Sequence, residues 1–482
     1  MQSHFCSGDN IRALIKTWEH SHVTMRTVAF LLCILRGVHT SAGELSPLFG
    51  ENVYVRLWRT ALTGPPAFWD RDGCPHYTEG AHNNTPQDYV LPGTYVNYPA
   101  SGWTSGFFPD SLWQAYRQRV ELTDDAPISS CQPSTEQWLS MAKAWTDPLQ
   151  TNANLTNTHD LGFLAKPFES AMQIQQNDEY LPVLKNMSMN LAARFEPGAG
   201  VIRSWDCWSF ASASCVSDDS VLVIIDNMMN LALLARSAQS YTKNPTLLDI
   251  ACSHADRTMA NHVRSDGSSF HVCDYSATTG DVYQCRTAQG LADDSTWARG
   301  QAWGIYGFAE FFSLTGELKY LETSKLMANW FIHHLPEDGL PFWDFNAPYE
   351  PGVTPRDSSA ATIAASEMML LQEQLEKLGH GYERQHRSYD YRQAAVRLLE
   401  ASVDLALAGE IAFADMTIRG AETDVDTPAN TSATKAFESI LMHGTSNKNP
   451  QADPPDYDTG LIYGDYYFVE AGNRLLLSGH AF

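Results

Sequence analysis

The sequence predicts an all-α protein, an (α/α)6 barrel or toroid with a short β-hairpin near its active site, on three observations. Apolar residues recur at intervals of three and four along about a dozen stretches. Alternating strand patterns are scarce, and the best candidate is a hairpin around 268–286. The run 221–235 is apolar almost throughout, which fits an inner helix of a ring of helical hairpins, buried nearly all round.

The predicted helices follow one another after residue 46 without a low-complexity linker or a sharp shift in composition. They cover 47–61, 105–121, 134–149, 160–174, 179–194, 219–241, 245–264, 294–315, 317–334, 358–377, 388–407 and 462–477. No repeat of fixed length is present, which disfavours a regular solenoid. We therefore expect one catalytic barrel domain over 46–482.

Composition and charge indicate which classes of binding partner to expect. The chain has 482 residues, with 32 basic and 56 acidic side chains and a formal net charge of −24. Such a surface repels polyanions, so nucleic acid is not an expected partner. The hydrophobic fraction of 44% supports a large core, and 13 Trp are more than a core alone needs. Trp also suits a site that stacks on flat sugar faces.

The first 45 residues read as a leader rather than as part of the barrel. Behind Met25 and Arg26 comes the short apolar run AFLLCIL, followed by small residues near Ala42. This pattern predicts a signal peptide over 25–42 if translation begins at Met25, and therefore a secreted protein, with a cytoplasmic location as the alternative. The run is too short to span a bilayer, and no membrane association is expected.

The nine cysteines include two closely spaced pairs. Cys207 and Cys215 lie 8 residues apart, and Cys273 and Cys285 lie 12 apart. Each pair flanks a loop-like stretch, so local disulfides are expected in an oxidising compartment. No cysteine or histidine spacing resembles a zinc site.

Asp226 is the most unusual residue, because it interrupts the apolar run VLVIIDNMMNLALLA. On a helix over 219–241 it shares a face with Leu222, Met229 and Asn230. Burial of a carboxyl raises its pKa and favours the proton-donating form that general acid catalysis needs. The alternative is a structural aspartate bonded to a neighbouring helix.

His159 and Asp160 stand where a second predicted helix begins, in NTHDLGF. Asp160 is a candidate for the second carboxylate of a site. The simpler interpretation is helix capping, because Asp is favoured at helix N-termini.

The stretch 288–308 brings Gln289, Trp297, Arg299 and Trp303 close together. Two Trp residues flanking an Arg supply a stacking face and a cation for an anionic sugar. The alternative is two core Trp residues beside a surface Arg.

Weaker signals come from Trp103, Trp205 and His271. Trp103 precedes a helix start marked by Gly and Pro, Trp205 lies in GVIRSWDCW, and His271 lies on the predicted hairpin. With two carboxylates these residues make a candidate sugar-cleaving pocket. The sequence does not give the carboxylate separation that distinguishes the usual glycosidase mechanisms.

Six motifs, taken together, resemble a known family. THDLGF, VIIDNMMNL, DDSTWARGQAWGIYGF, PFWDFNAP, RDSSAATIAASEM and YGDYYFVEA are similar, in this order from Trp103 to Ala471, to the unsaturated glucuronyl hydrolases of glycoside hydrolase family 88. The resemblance implies an (α/α)6 barrel that acts on oligosaccharides ending in a Δ4,5-unsaturated uronic acid. It also implies that the C4=C5 vinyl ether is hydrated, that the resulting hemiketal releases the sugar, and that no metal or other cofactor takes part.

The resemblance also implies roles for residues of this chain. Asp226 matches the principal acid and base, and Asp160 the second essential carboxylate, with His159 beside it in the pocket. The matching wall aromatics and polar residues around the sugar are Trp103, Trp205, Trp297, Trp303, His271, Gln289 and Arg299.

One position departs from the family pattern, since Ala288 stands where the family often has His. Loss of a buried hydrogen-bond partner shifts preference by about 1–3 kcal/mol, so we expect a different leaving sugar or sulfation pattern. Three other functions remain open: an unsaturated rhamnogalacturonyl hydrolase, a non-catalytic carbohydrate-binding toroid, and an epimerase, which would need paired His bases.

Overall fold

Helices form the frame of the protein and short strands connect them. The computed structural model describes residues 45–64, 73–78, 93–122, 132–209, 213–379, 389–413, 437–452 and 454–479, with the backbone of two short strands between 414 and 436. The described residues of the main body fall within one unit, Glu44–Ala481. The predicted leader and its signal peptide lie outside the described residues.

The α-helices lie close to the predicted stretches, with one exception discussed below. They are α1 Glu51–Ala61, α2 Phe107–Arg117, α3 Thr135–Thr146, α4 Leu161–Gln175, α5 Leu181–Ala192, α6 Leu231–Arg236, α7 Thr246–Asn261, α8 Ala298–Thr315, α9 Leu318–His333, α10 Ser358–Leu378, α11 Tyr391–Ala406 and α12 Ile462–Leu477.

The strands pair locally into small antiparallel sheets. They are β1 Cys74–Thr78, β2 Tyr95–Tyr98, β3 Phe195–Glu196, β4 Val201–Ile202, β5 Ser220–Ile224, β6 Val272–Ser276, β7 Val282–Arg286, β8 Thr417–Arg419, β9 Asp424–Asp426, β10 Gly444–Asn447 and β11 Asp456–Thr459. Pairs form between β1 and β2, β3 and β4, β8 and β9, and β10 and β11, while β5, β6 and β7 form a three-stranded sheet. The predicted hairpin is therefore confirmed as β6–β7.

Within the described part of the chain, the even-numbered helices form a closed inner ring. Helix α2 contacts α4, α4 contacts α6, and the series continues through α8, α10 and α12 back to α2. The odd-numbered helices pack outside this ring. The inner helix α8 is buried from Ala298 through Phe312, whereas the outer helix α3 buries only one side, including Trp138 and Trp145. The predicted (α/α)6 barrel is confirmed.

The starts of the inner helices meet at one end of the barrel. Trp103, just before α2, packs against Phe163 of α4 and Tyr463 of α12, with ring centroids 5.5 and 5.0 Å apart. At the start of α8, Arg299 pairs with Asp357, which precedes α10. The residues predicted to form the functional site lie at this end.

The prediction of one helix over 219–241 is wrong. Residues Ser220–Ile224 form strand β5, Ile225–Asn230 form a 3-10 turn, and only Leu231–Arg236 form an α-helix, which continues as a short π-helical turn. The five residues of β5 are buried and pair with β6. A strand buried on both faces has the same apolar pattern as a buried helix, and its β-branched residues favour the strand.

The 3-10 turn Ile225–Asn230 fits between α4 and α8 because glycines face it. A Cβ atom added to Gly307 would lie 2.4 Å from the Cβ of Met228, and one added to Gly162 would lie 2.5 Å from the Cα of Asn230. Only a residue without a side chain permits backbones to approach so closely. These contacts fix the position of the turn that carries Asp226.

Both predicted disulfides are present. Cys207 bonds to Cys215 and Cys273 bonds to Cys285. The second disulfide joins directly opposed residues of β6 and β7, two positions from His271, which immediately precedes β6. Among the described helices, none has the length and apolar character needed to cross a membrane.

Candidate active site

Asp226 lies in the first turn after β5, with its side chain turned into the protein. The residue is 8% exposed, and its Oδ2 atom has no hydrogen-bond partner within the described structure. Burial raises the pKa of this carboxyl to about 7, and the charge of Asp160 adds to the rise. The positive charge of Arg299 and a backbone hydrogen bond oppose it. The carboxyl is thus partly protonated near neutral pH, as a general acid must be.

His271 faces Asp226 as a neutral ring. Its Nε2 atom lies 3.9 Å from Oδ2 of Asp226, and its Nδ1 atom accepts a hydrogen bond from the backbone N–H of Ala288 at 3.2 Å. That acceptor role assigns the proton to Nε2. Burial, with the charges of Arg299 and Arg286, holds the pKa of His271 well below its usual range. A neutral His271 presents an N–H group to Asp226 without the positive charge that would lower the pKa of the carboxyl.

Asp160 lies just before α4 but does not cap it, so the capping interpretation is wrong. Its side chain makes no capping hydrogen bond; it accepts one from the Thr158 hydroxyl at 2.6 Å and lies 3.3 Å from Nε2 of His159. The Asp160 side chain is 20% exposed, against 1% for His159. Burial lowers the pKa of His159. Asp160 is thus partly exposed, while Thr158 and the buried His159 orient it.

Asn230 performs the capping instead. Its Oδ1 atom accepts hydrogen bonds from the backbone N–H groups of Gly162 at 2.9 Å and Phe163 at 3.2 Å, the first residues of α4. Asn230 ends the 3-10 turn that begins beside Asp226. One side chain therefore joins the segments that carry the two carboxylates.

Arg299 is buried and its charge is used inside the protein. The residue is 1% exposed; its NH1 pairs with Asp357 at 3.3 Å and its NH2 donates to the Ser446 carbonyl at 2.7 Å. NH1 also donates to the Thr445 carbonyl. Arg299 therefore fixes β10 and moderates the pKa of Asp226, and its contact with the sugar stays a prediction.

The predicted aromatic residues divide into two groups. Trp297 packs on His271 with ring centroids 4.4 Å apart, Trp205 meets His271 edge-on at 6.1 Å, and Trp103 is partly exposed at the helix starts. Trp303 differs, since it is 0% exposed and packs against Phe163 and other core rings. Trp303 is therefore corrected from a wall residue to a core residue beneath the site.

Gln289 helps to hold β10 in place. Its Nε2 donates to the Ser446 carbonyl at 2.8 Å, the same carbonyl that Arg299 binds. Next to it, Ala288 lines a cavity of about 390 Å³. The other lining residues are Ser214, Arg286, Thr287, Leu291, Ala292, Asp293, Asn447, Asn449, Pro450, Gln451 and Ala452. A cavity of this size accepts a small ligand. Ala288 in its wall is the residue whose backbone N–H donates to His271.

Sequence reasoning missed three residues of this end of the barrel. His76 of β1 hydrogen-bonds with the Thr104 hydroxyl at 2.9 Å, and burial lowers its pKa to about 4. It lies outside the matched motifs, so no signal indicated it. Asp357 lies in the motif RDSSAATIAASEM, and Asn230 lies in VIIDNMMNL, where its polarity in apolar surroundings was the available signal. Throughout the described ranges, no three His, Cys, Asp or Glu side chains are grouped to hold a metal ion.

Several known proteins are similar to this chain over most of its length. No family model matches the chain. An unsaturated glucuronyl hydrolase of Formosa agariphila is 32% identical over 409 residues, covering 83% of this chain and 86% of the relative. Another from Bacillus sp. (strain GL1) is 30% identical over 405 residues, covering 84% and 91%. An unsaturated chondroitin disaccharide hydrolase of Streptococcus pneumoniae is 29% identical over 392 residues, covering 80% and 85%.

Solved structures agree with these relatives. A crystal structure of an unsaturated glucuronyl hydrolase specific for heparin matches with a TM-score of 0.68 at 30% identity, covering 89% of this chain and 96% of the other. The enzyme of Bacillus sp. GL1, described as responsible for the degradation of glycosaminoglycan, matches with a TM-score of 0.67 at 26% identity, covering 89% and 97%.

The raised pKa of Asp226 predicts a pH-dependent effect of Asp226→Asn on stability. A carboxyl whose pKa rises from 3.8 to about 7 on folding stabilises the fold fully below pH 4, and this contribution is lost as pH rises to 7. Relative to the wild type, the variant should gain stability between pH 4 and 7, by up to about 4 kcal/mol, and no more above pH 7. Denaturant unfolding across this range measures the difference; a constant difference would contradict the assignment.

Proposed function

The chain belongs to the unsaturated glucuronyl hydrolase family, a family of glycosidases, and we propose that it releases the terminal Δ4,5-unsaturated uronic acid from oligosaccharides that polysaccharide lyases produce. The observation that carries this proposal is the Asp226 carboxyl, buried without a hydrogen bond to Oδ2 and with a pKa raised to about 7. Such a group holds a proton at neutral pH and delivers it to an electron-rich carbon.

The substrate of this reaction is a vinyl ether, in which C4=C5 is conjugated with the ring oxygen. Asp226 donates its proton to C4, and the ring oxygen stabilises the positive charge that develops at C5. Water then attacks C5, and the proton it loses returns to the Asp226 carboxylate. The hemiketal that forms opens, and the leaving sugar is released. Atoms balance with one water consumed, and Asp226 regains its starting state.

His271 and Asp160 support Asp226 in different ways. The Nε2–H of His271 faces Oδ2 of Asp226, so it stabilises the carboxylate that proton transfer leaves. Asp160 adds negative charge that raises the pKa of Asp226, and its exposure permits it to accept a hydrogen bond from a sugar hydroxyl. His159 and Thr158 hold Asp160 in this orientation.

The cavity beside Ala288 is a candidate site for the leaving sugar. Ala288 provides only a methyl group where the family often has a His ring, and Arg286 and Asp293 line the same cavity. A sugar with a larger substituent near this position, such as a sulfate group, has more room beside Ala288 than beside a His ring. We therefore propose that the leaving-sugar preference differs from that of relatives with His at this position.

We also propose that the protein is secreted. Support comes from the two disulfides, which form and persist in oxidising compartments, and from the signal pattern behind Met25.

The proposed function is tested by a screen of lyase digests. Unsaturated disaccharides from glycosaminoglycans, sulfated and unsulfated, and from rhamnogalacturonan are each mixed with the protein while the absorbance of the C4=C5 bond is followed. We expect that absorbance to fall with a glycosaminoglycan-derived substrate. A fall only with the rhamnogalacturonan product would assign the alternative hydrolase. An unchanged signal with every substrate would leave the non-catalytic toroid.

Replacement of Asp226 by Asn should remove the proton donor while leaving the cleft intact. We expect turnover to fall by about 10²–10⁴ with binding retained, because general acid–base catalysis contributes about that factor. For the wild type, kcat/KM should decline as pH rises through about 7, since the protonated form of Asp226 is then lost.

Asp110→Asn is the matched control. Asp110 is also buried, with a pKa raised to about 6, but it lines a separate cavity with Lys166 and Glu470. Its variant should keep near-normal turnover. Steady-state rates and substrate binding by calorimetry measure both variants; near-normal turnover of Asp226→Asn would assign the acid to another residue.

Ala288→His should fill part of the leaving-sugar cavity and supply a hydrogen-bond donor. We expect the ratio of kcat/KM between sulfated and unsulfated disaccharides to change by about 5- to 150-fold, from the 1–3 kcal/mol range for one buried polar contact. Ala288→Ser, which adds less volume, serves as the control. If the ratio stays constant in both variants, position 288 does not contact the leaving sugar.

A further inference from the structure

A second and larger depression lies beyond the cavity at Ala288. It is a groove of about 930 Å³, bounded by the loop 347–356 on one side and by residues 448–452 and 455–458 on the other. We call it the outer groove. Its walls combine aromatic, apolar and polar residues, including Phe342, Tyr349 and Asn449.

The outer groove adjoins the cavity at Ala288. The two share the lining residues Leu291, Asn449, Pro450 and Ala452. The Asn449 side chain donates a hydrogen bond to the Gly290 carbonyl at 2.8 Å, which joins the two walls. Because the cavity and the outer groove share these residues, they are neighbours, and an oligosaccharide in the cavity can extend into the outer groove.

Both walls of the outer groove are held in place before any ligand binds. On one side, Arg299 and Gln289 bind the carbonyl of Ser446, which fixes β10. On the other, Arg356 pairs with Asp338, and its guanidinium lies 4.1 Å from the ring centroid of Phe342. A preformed groove loses little conformational entropy when a ligand enters.

The loop wall presents apolar faces to solvent. Tyr349 is 64% exposed and Val353 is 67% exposed, and the Tyr349 ring packs on Phe342 with centroids 5.4 Å apart. Exposed aromatic faces beside polar groups suit sugar rings, whose C–H faces stack while their hydroxyls form hydrogen bonds.

We propose that the outer groove binds the third and later sugars of an unsaturated oligosaccharide, with Tyr349 as a stacking face. The proposal rests on the proposed function, because the first two sugars occupy the cleft at Asp226 and the cavity at Ala288. The groove then favours substrates longer than a disaccharide, and Tyr349 is a residue that determines this specificity.

The experiment compares an unsaturated disaccharide with the unsaturated tetrasaccharide from the same lyase digest. We expect Tyr349→Ala to lower kcat/KM for the tetrasaccharide by about five- to tenfold, mainly through KM, as expected for one lost stacking contact. The disaccharide, which ends before the groove, should be hydrolysed at the wild-type rate. Tyr349→Phe keeps the ring and should restore the wild-type ratio.

Tyr389→Ala is the matched control, since Tyr389 is 40% exposed and bonds to His333, away from the residues that line the groove. It should leave both substrates unaffected. Equal losses for both substrates in Tyr349→Ala, or no loss for either, would overturn the groove proposal while disaccharide hydrolysis remains. Absence of hydrolysis of both substrates by the wild type would instead overturn the proposed function.

Discussion

The desolvation of one carboxyl sets the chemistry of this site. Asp226 lies where water is largely excluded, and this burial is the main cause of its raised pKa. The positive charge of Arg299 limits the rise without a hydrogen bond to Asp226. Because Asp357 and two backbone carbonyls engage the guanidinium, its charge acts on Asp226 only through space. The balance places the pKa of Asp226 at about 7, where a group can both give and take a proton.

The barrel provides this balance through close packing at its helix starts. Gly162 and Gly307 admit the 3-10 turn between α4 and α8, and Asn230 ties that turn to the start of α4. At the opposite end of the barrel the buried charges are paired, because Arg236 forms salt bridges with Glu169 and Glu310 at 2.8 and 2.5 Å. Paired charges there stabilise the ring, whereas the unpaired Oδ2 of Asp226 keeps a proton available.

Much of this arrangement was predictable from sequence, and the failures have physical causes. Helical periodicity identified the ring, because each inner helix buries a continuous apolar surface. Close spacing identified both disulfides. The segment 219–241 failed, because a strand buried on both faces resembles a buried helix. The motifs made Asp226 and Asp160 candidates for the two carboxylates, but spacing does not reveal burial. Trp303 was therefore placed in contact with the sugar, although it lies in the core, and the ion pair between Arg299 and Asp357 was not predicted.

The most direct test of the account is the titration of Asp226 itself. Infrared difference spectra between the wild type and the Asp226→Asn variant isolate the C=O stretch of one protonated carboxyl as pH is varied. We expect a band from a weakly hydrogen-bonded carboxylic acid that disappears with a midpoint near pH 7. A carboxyl that is already ionised at pH 5, near the ordinary range for aspartate, would contradict it.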